Sequence, residues 1–148
     1  LVKFPLGAHL FLPRPYLLNK YLEQLIQKKA TEQRWLLYSI FYKNDKQLIG
    51  GCGFKVDREY ANAEIFYFLS PKYWGEGLMV EACRPLLDAS FSQIGLQNIY
   101  AFVILENIRA QRVLEKLAFK YSKVICLNRY SQRKKVQQWV LSYLTKTI

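Results

Sequence analysis

The sequence predicts an α+β fold, an α/β sandwich in which helices flank a mixed β-sheet, and three observations support this prediction. Apolar residues recur every three or four positions in some segments, as in amphipathic helices, and they alternate or run continuously in others, as in strands. These segments follow the order helix, β-hairpin, strand, helix, strand, helix, strand, strand. No repeat, linker or change in composition divides the chain, so residues 1–148 are expected to form a single domain.

The first predicted elements are a helix and a β-hairpin. Leucine, tyrosine and isoleucine recur with helical spacing over residues 17–29. Aromatic and β-branched residues dominate residues 35–42, and a polar turn at 43–46 separates this strand from a second one over 47–56. The glycines of the second strand leave its pairing weakly specified.

A strand, a turn and a helix follow. Residues 63–69 alternate in a β pattern that Pro71 ends. From Leu78 the apolar spacing changes to the helical period, and Gly95 closes that helix. Pro85 lies inside it and is expected to kink it, because proline removes one backbone hydrogen bond.

The last part of the chain predicts strand, helix, strand, strand. Residues 98–105 form a nearly continuous apolar run, which is typical of a strand buried on both faces. Asn107 can then cap a short amphipathic helix. Two strands, over residues 121–127 and 136–144, flank a basic loop at 129–135. The two middle strands with the helix between them form a βαβ crossover.

Composition narrows the class of protein. Twenty-two Lys and Arg oppose eleven Asp and Glu, a net charge of +11 that favours an anionic partner: nucleic acid, a phosphorylated cofactor or an acidic acceptor. Three cysteines without a CxxC pair, beside one histidine, predict neither a disulfide framework nor a metal site. No apolar run approaches the roughly 20 residues of a membrane span, so a soluble cytoplasmic protein is expected.

The turn between the third strand and the second helix is the strongest local signal. Gly75 and Gly77 immediately precede the helix start at Leu78. Glycines allow close approach of a ligand, and the free N–H groups of a first helical turn favour phosphate. The turn lacks the third glycine of the dinucleotide fingerprint and the ending of a P-loop. On this spacing alone, the turn can be interpreted either as a pyrophosphate cradle or as a plain tight turn.

Residues 63–82 read AEIFYFLSPKYWGEGLMVEA, and residues 106–119 read ENIRAQRVLEKLAF. Both stretches resemble the GNAT superfamily of acetyl-CoA-dependent N-acetyltransferases, and most closely the branch of ribosomal-protein alanine and serine N-terminal acetyltransferases. Lys72 stands where the family's pyrophosphate loop begins with Gln or Arg. The resemblance covers most of the chain from Gln47 onward, and an N-terminal element of the family is expected to be missing, since the chain opens on Leu1.

The resemblance implies a splayed central sheet, with acetyl-CoA as the acetyl donor and a primary amine as the acceptor. It implies that the backbone of the splayed strand contacts the pantetheine arm and that its Leu69 N–H stabilises the oxyanion. The cofactor-binding residues that it implies are Phe68, Leu69, Lys72, Tyr73, Trp74, Gly75, Glu76, Gly77, Leu78, Asn107 and Arg112.

Several roles have two interpretations. Glu64 interrupts an apolar strand and is the candidate general base, or it is an exposed strand carboxylate paired with a lysine. Arg112 can approach the phosphates of CoA or be a solvated charge, and Asn107 can cap its helix, contact the cofactor, or do both. Leu114 stands where some family members carry a proton-donating tyrosine, so the general acid is not identified, although Tyr67 and Tyr73 are candidates.

Two other functions compete with acetyl transfer. A CoA-binding protein of the same fold with weak or lost catalysis would fit Leu114 and the carboxylate of Glu76 in the loop. A nucleic-acid-binding module, or contact with the ribosome, would fit the basic stretch at 129–135. The positive charge favours a peptide N-terminus or a neutral to acidic amine as acceptor, and the aromatic content suits a homodimer.

Overall fold

The computed structural model describes residues 2–3, 8–10, 34–42, 45–57, 59, 61–129 and 132–146. The helix predicted over residues 17–29 lies outside these ranges. The strands are β1 (Val2–Lys3), β2 (Ala8–Leu10), β3 (Arg34–Tyr42), β4 (Leu48–Val56), β5 (Asn62–Leu69), β6 (Asn98–Ile104), β7 (Lys120–Arg129) and β8 (Gln132–Ser142). The α-helices are α1 (Leu78–Ala89), α2 (Ile108–Lys116) and the single turn α3 (Tyr143–Lys146).

The strands form one sheet in the order β1-β2-β3-β4-β5-β6-β8-β7. Neighbouring strands are antiparallel except β5 and β6, which are parallel and joined through α1. The mixed sheet and the βαβ crossover that the sequence predicts are therefore confirmed. No helix among the described residues is both long and apolar enough to cross a lipid bilayer.

The sheet splits between β5 and β6. Their pairing joins Asn62 to Asn98 and ends where Glu64 meets Tyr100, whereas β5 continues to Leu69 and β6 continues to Ile104. The two strands therefore form a V, with a closed end at the paired residues and a mouth at the free strand ends. This is the splayed sheet that the family resemblance implies.

Polar side chains fasten the closed end of the V. Ser142 on β8 donates to the Asn98 side chain at 2.6 Å, and Asn98 donates to Asn62 at 3.1 Å. The Asn62 side chain in turn donates to Asp57 at 3.0 Å. This chain of hydrogen bonds links β8, β6, β5 and the turn after β4, so the point at which the sheet splits is fixed by side chains as well as by backbone pairing.

The hydrophobic core lies between the sheet and the two longer helices. On β5 the buried residues Ala63 and Ile65 alternate with half-buried ones, and Tyr67, on their face, donates its hydroxyl to the Ala110 carbonyl of α2 at 2.9 Å. Arg84 of α1 donates to the Lys116 carbonyl at 3.3 Å, so α1 and α2 pack together on that face. The helices thus cover one face of the V.

The predicted end of α1 at Gly95 is confirmed, whereas the predicted basic loop is not. Helix α1 runs through Pro85 to Ala89 and continues as a π-helical turn over Ser90–Ile94, which Gly95 closes with φ 79°. The basic loop predicted at 129–135 is largely strand, because β7 extends to Arg129 and β8 starts at Gln132. Charged side chains do not prevent this pairing, since they project to solvent while the backbone completes the ladder.

Candidate active site

A cleft of about 690 Å³ opens between the free part of β5 and helix α2. Its floor and walls come from the end of β5, the loop at 73–77, the first turn of α1 and the exposed face of α2. The lining residues are Tyr67, Phe68, Leu69, Tyr73, Trp74, Gly75, Gly77, Leu78, Met79, Val80, Asn107, Arg109, Ala110, Arg112, Val113 and Lys116.

The glycine loop is anchored at its start and free at its glycines. Tyr73 is buried, donates its hydroxyl to the Gln47 side chain at 3.0 Å and packs on the Tyr42 ring with centroids 5.2 Å apart. Gly75 and Gly77 have φ of 82° and 76°, a region that side chains other than glycine rarely adopt. The loop therefore turns sharply beside the cleft while its base stays fixed to the sheet.

The first turn of α1 presents backbone donors without a capping side chain. Gly77 is the N-cap and supplies none, and the Glu81 N–H closes onto the Gly77 carbonyl at 3.0 Å. The N–H groups of residues 78–80 precede that bond and have no α-helical acceptor. Since these residues line the cleft although their side chains are buried, their backbone donors and the positive end of the helix dipole face it.

The end of β5 also turns backbone groups toward the cleft. The Ser70 N–H donates to the Ile49 carbonyl at 2.7 Å. In an antiparallel ladder, such bonded pairs alternate with pairs whose polar groups point away from the partner strand. Leu69, opposite Gly50, belongs to the second kind, so its N–H and carbonyl point away from β4, into the V.

The same alternation separates Phe68 from its neighbours. Phe68 lies opposite Gly51, so its backbone groups turn to β4, whereas those of Tyr67 and Leu69 turn to the cleft. A backbone contact to a ligand is therefore available at residues 67 and 69, not at Phe68 as the sequence predicted. Phe68 lines the cleft with its exposed ring.

Trp74 and Arg109 meet across the cleft. The indole Nε1 of Trp74 donates to the Leu69 carbonyl at 2.7 Å, which ties the loop to the end of β5. The Arg109 guanidinium lies 4.2 Å from the centre of the Trp74 ring, a cation–π contact between α2 and the loop. The two walls thus touch through this pair of side chains.

Helix α2 lines its side of the cleft with positive charge. Arg109, Arg112 and Lys116 follow the i, i+3, i+7 spacing of a single helical face, and no carboxylate is among the described lining residues. The Asn107 side chain accepts from the Ala110 N–H at 3.1 Å and caps the helix at the edge of the cleft. The sequence predicted Arg112 as a cofactor residue but not Arg109 or Lys116, because spacing alone does not show which side of the helix faces the cleft.

Tyr67 is held in its neutral form beside the cleft. Burial, with a smaller contribution from the neighbouring Cys83 thiol, raises the pKa of its phenol above the usual value. Its hydroxyl donates to the Ala110 carbonyl, so the phenol joins β5 to α2. As a candidate proton donor it would first have to give up this bond.

Two predicted cofactor residues and the predicted base lie outside the cleft lining. Lys72 and Glu76 are exposed beside the loop, with the Lys72 ammonium 5.5 Å from the centre of the Tyr73 ring. Glu64 lies at the closed end of the V, directly opposite Lys55 of β4 and on the strand face opposite that of Tyr67. The structure thus brings the remaining predicted residues together and leaves these three apart.

The comparison with known proteins agrees with this geometry. Residues 10–120 match the model of the acetyltransferase (GNAT) domain. The chain belongs to the GNAT acetyltransferase family. This GNAT domain is 36% identical over 98 residues to a Bacillus licheniformis protein named uncharacterized N-acetyltransferase p20, covering 66% of this chain and 55% of that protein. It is 31% identical over 65 residues to spermidine N(1)-acetyltransferase of Escherichia coli K12, covering 44% of this chain and 35% of that enzyme.

A solved structure supports the GNAT fold over nearly the whole chain. The structure of a putative ribosomal-protein-serine acetyltransferase from Vibrio cholerae superposes with a TM-score of 0.71 at 14% identity, covering 96% of this chain and 95% of that one. By contrast, the chain spans about half the length of three curated relatives that it matches.

Proposed function

We propose that this chain is an N-acetyltransferase that binds acetyl-CoA in the cleft and transfers the acetyl group directly to a primary amine. The observation that carries the proposal is the convergence of uncapped N–H donors at 78–80 with the cations of α2 around one space lined by no described carboxylate. Such a space suits the pyrophosphate and phosphate groups of CoA. Gly75 adds to the fit, since a Cβ there would stand in open space beside the cleft.

The two walls are assigned different parts of the donor. The first turn of α1 and the loop at 73–77 would hold the pyrophosphate through backbone N–H groups, while Arg112 and Lys116 would neutralise phosphate charge from α2. The exposed backbone of Tyr67 and Leu69 would hold the pantetheine arm along the inner edge of β5.

Bound acetyl-CoA would supply a thioester whose acetyl group is accepted by the amine. The Leu69 N–H, which points into the V, is the proposed donor to the oxyanion that forms at the thioester carbonyl. The amine must be neutral to attack. An α-amino group titrates near pH 8 and needs little assistance, whereas a lysine titrates near 10.4 and needs a base, so the cleft favours a peptide amino terminus or a small amine of low pKa.

Two titratable side chains are candidates for the proton transfers, Glu64 and Tyr67. Glu64 stays a prediction as the base, acting through water, and its place at the closed end favours its other interpretation as the cross-strand partner of Lys55. Tyr67 is the titratable lining residue whose hydroxyl lies between β5 and α2, which supports it as a candidate to protonate the leaving thiolate.

We also propose a cytoplasmic location. Cys52, Cys83 and Cys126 are all free thiols, two of them buried, which suits a reducing compartment. The single-domain prediction over residues 1–148 is retained as part of the proposal.

Release of free CoA thiol in the presence of amines tests the activity. We expect thiol to appear with an α-amino peptide and acetyl-CoA, with the rate rising between pH 7 and 9 as the amine loses its proton. A matched reaction with an N-terminally blocked peptide should release none. Tight acetyl-CoA binding without thiol release on any amine would instead support the CoA-binding protein that has lost catalysis.

A further inference from the structure

The positive charge of the chain is concentrated after α2. Beyond Glu115 the sequence contains no Asp or Glu, yet residues 116–148 contain eight Lys and Arg. Most of these lie on the β7–β8 hairpin, where Lys120, Lys123, Arg133, Lys134 and Lys135 are all exposed. The hairpin therefore carries much of the net charge of +11 without a carboxylate of its own.

The strand register places part of this charge at the mouth of the V. The pairing of β8 with β6 ends where Val136 meets Ile104, the last residue of β6. Residues 132–135 pair only with β7 and project past β6 by about 13 Å, at about 3.3 Å per residue. Lys134 and Lys135 thus stand beyond the open end of the sheet, the end at which β5 stops at Leu69.

The other hairpin lysines lie farther from the mouth, Lys120 at the closed end and Lys123 opposite Gln138, about halfway along β6. Lys120 is level with Val140, which pairs with Tyr100 at the closed end of the V. Six residues of β8 separate that level from Lys134, a distance of about 20 Å along the strand. The hairpin therefore offers two lysine pairs of similar exposure, one at the mouth and one farther from it.

Two carboxylates near the mouth do not balance this charge. Glu106 lies in the turn after β6 and Glu76 lies in the glycine loop, and both are exposed. Their two negative charges are outnumbered by the positive charges of Lys134 and Lys135 on the hairpin and of Arg109, Arg112 and Lys116 in the cleft lining. A ligand that enters at the mouth consequently meets a positive field on balance.

We propose that the acceptor is the amino terminus of an acidic peptide, whose carboxylates are held by the hairpin lysines at the mouth while its amine enters the cleft. This inference rests on the proposed acetyltransferase function and narrows its substrate. Polyamines and basic peptides would be repelled at the same place. Nucleic acid would match the charge, but its bases and phosphates offer no aliphatic amine to an acetyl donor.

Binding of three peptides to the full chain tests whether it prefers an acidic, a neutral or a basic acceptor. Each begins with Ser-Ala, continues with four glutamates, four glutamines or four lysines, and carries a fluorophore at its carboxyl end. With CoA present, we expect the glutamate peptide to bind about threefold to tenfold tighter than the glutamine peptide by anisotropy, and the lysine peptide to bind weakest. The preference should shrink as NaCl is raised.

The variant K134Q/K135Q should bind the glutamate peptide at most about twofold tighter than the glutamine peptide, because two exposed charge pairs are removed. K120Q/K123Q is the matched control, with the same loss of charge farther from the mouth, and should keep the preference. The KM for acetyl-CoA should not change in K134Q/K135Q, which separates acceptor binding from binding of the CoA phosphates.

Equal binding of the glutamate and glutamine peptides would overturn the inference, and so would an equal effect of the two double variants. Tighter binding of a single-stranded RNA oligomer, lost in K134Q/K135Q, would overturn it in favour of nucleic acid. Thiol release is read separately. Thiol release that does not depend on the charge of the peptide, or that occurs only with a small amine, rejects this inference but keeps the acetyltransferase. No thiol release on any peptide or small amine rejects the proposed function and, with it, the peptide as acceptor.

Discussion

The two walls of the cleft use different chemistry. The wall formed by β5, the glycine loop and α1 offers backbone groups: the Leu69 N–H and the N–H groups of the first turn of α1. The wall formed by α2 offers side-chain charge from Arg109, Arg112 and Lys116. Backbone donors are fixed by the fold and tolerate most side-chain changes, whereas the charges of α2 can be altered one at a time. Substitutions in the two walls should therefore differ in the size and kind of their effects.

The largest effect is expected at Gly75, in the backbone wall. Gly75→Val would place a branched side chain at φ 82° beside the cleft and disturb the loop. Loss of one or two charge-assisted hydrogen bonds to phosphate should raise the KM for acetyl-CoA about thirtyfold, as measured by steady-state thiol release.

Gly95→Val is the matched control for backbone strain. Gly95 has φ 79° and the same open surroundings, but it closes the π-helical turn away from the cleft. Both variants should lose about 1–2 kcal/mol of unfolding free energy, and only Gly75→Val should lose acetyl-CoA affinity. Equal KM values in the two variants would remove the loop from the binding site.

A smaller effect is expected from a substitution that displaces the end of β5. A Cβ at Gly50 would collide with the Phe68 carbonyl and lie 3.0 Å from the Leu69 Cα, both backbone atoms. Gly50→Ala should therefore displace the Leu69 N–H and lower kcat about tenfold, less than full loss of an oxyanion donor.

Gly51→Ala provides the comparison for Gly50→Ala. Its Cβ would meet the Phe68 ring at 2.9 Å, a side chain that can move, and the Tyr38 carbonyl at 3.1 Å. We expect kcat to fall less than in Gly50→Ala, and Phe68→Ala to restore part of the loss. A larger kcat loss in Gly51→Ala than in Gly50→Ala would contradict the assignment of Leu69.

The charged wall should respond more weakly. Arg112→Gln combined with Lys116→Gln should raise the KM for acetyl-CoA about fivefold, with little change in kcat, because partly exposed cations are screened by solvent. The effect should diminish in high salt and with an acetyl-CoA analogue that lacks the 3′-phosphate. Lys120→Gln, at an exposed lysine that does not line the cleft, is the control. An unchanged KM in the double variant would mean that these cations are solvated charges.

The smallest effect is expected at Glu64. As the cross-strand partner of Lys55 at the closed end, Glu64→Gln should change kcat/KM by less than about threefold. If Glu64 were the general base, Glu64→Gln would lower kcat/KM about a hundredfold. The fall of kcat/KM at low pH, where the base is protonated, would also disappear in the variant. The pH dependence of kcat/KM for the variant decides between these interpretations.

Local sequence patterns predicted the backbone wall better than the charged wall. The glycines at 75 and 77, the helix start at Leu78 and the cap at Asn107 follow from spacing alone, because caps and tight turns have few chemical solutions. The face that α2 turns to the cleft depends on its packing against Tyr67, so Arg109 and Lys116 looked like any solvated charges.

Features that depend on strand register could not be predicted from the sequence. Whether Phe68 or Leu69 turns its backbone to the cleft depends on pairing with β4, and one position of shift reverses it. The distance of Glu64 from the mouth depends on where β5 and β6 part, which long-range hydrogen bonds between Asn62, Asn98 and Ser142 help to fix. The mixed sheet could be predicted, but not these alignments.

The most direct measurement is the melting temperature of the chain with acetyl-CoA, CoA or ATP. A ligand at a hundred times its Kd adds about 2.7 kcal/mol, which corresponds to a rise of roughly 5–10 °C for a domain of this size. We predict that rise with acetyl-CoA and CoA in the wild type and in Gly95→Val, a much smaller one in Gly75→Val, and none with ATP. Equal shifts in the two glycine variants, or no shift with either CoA species, would contradict the assignment of the cleft.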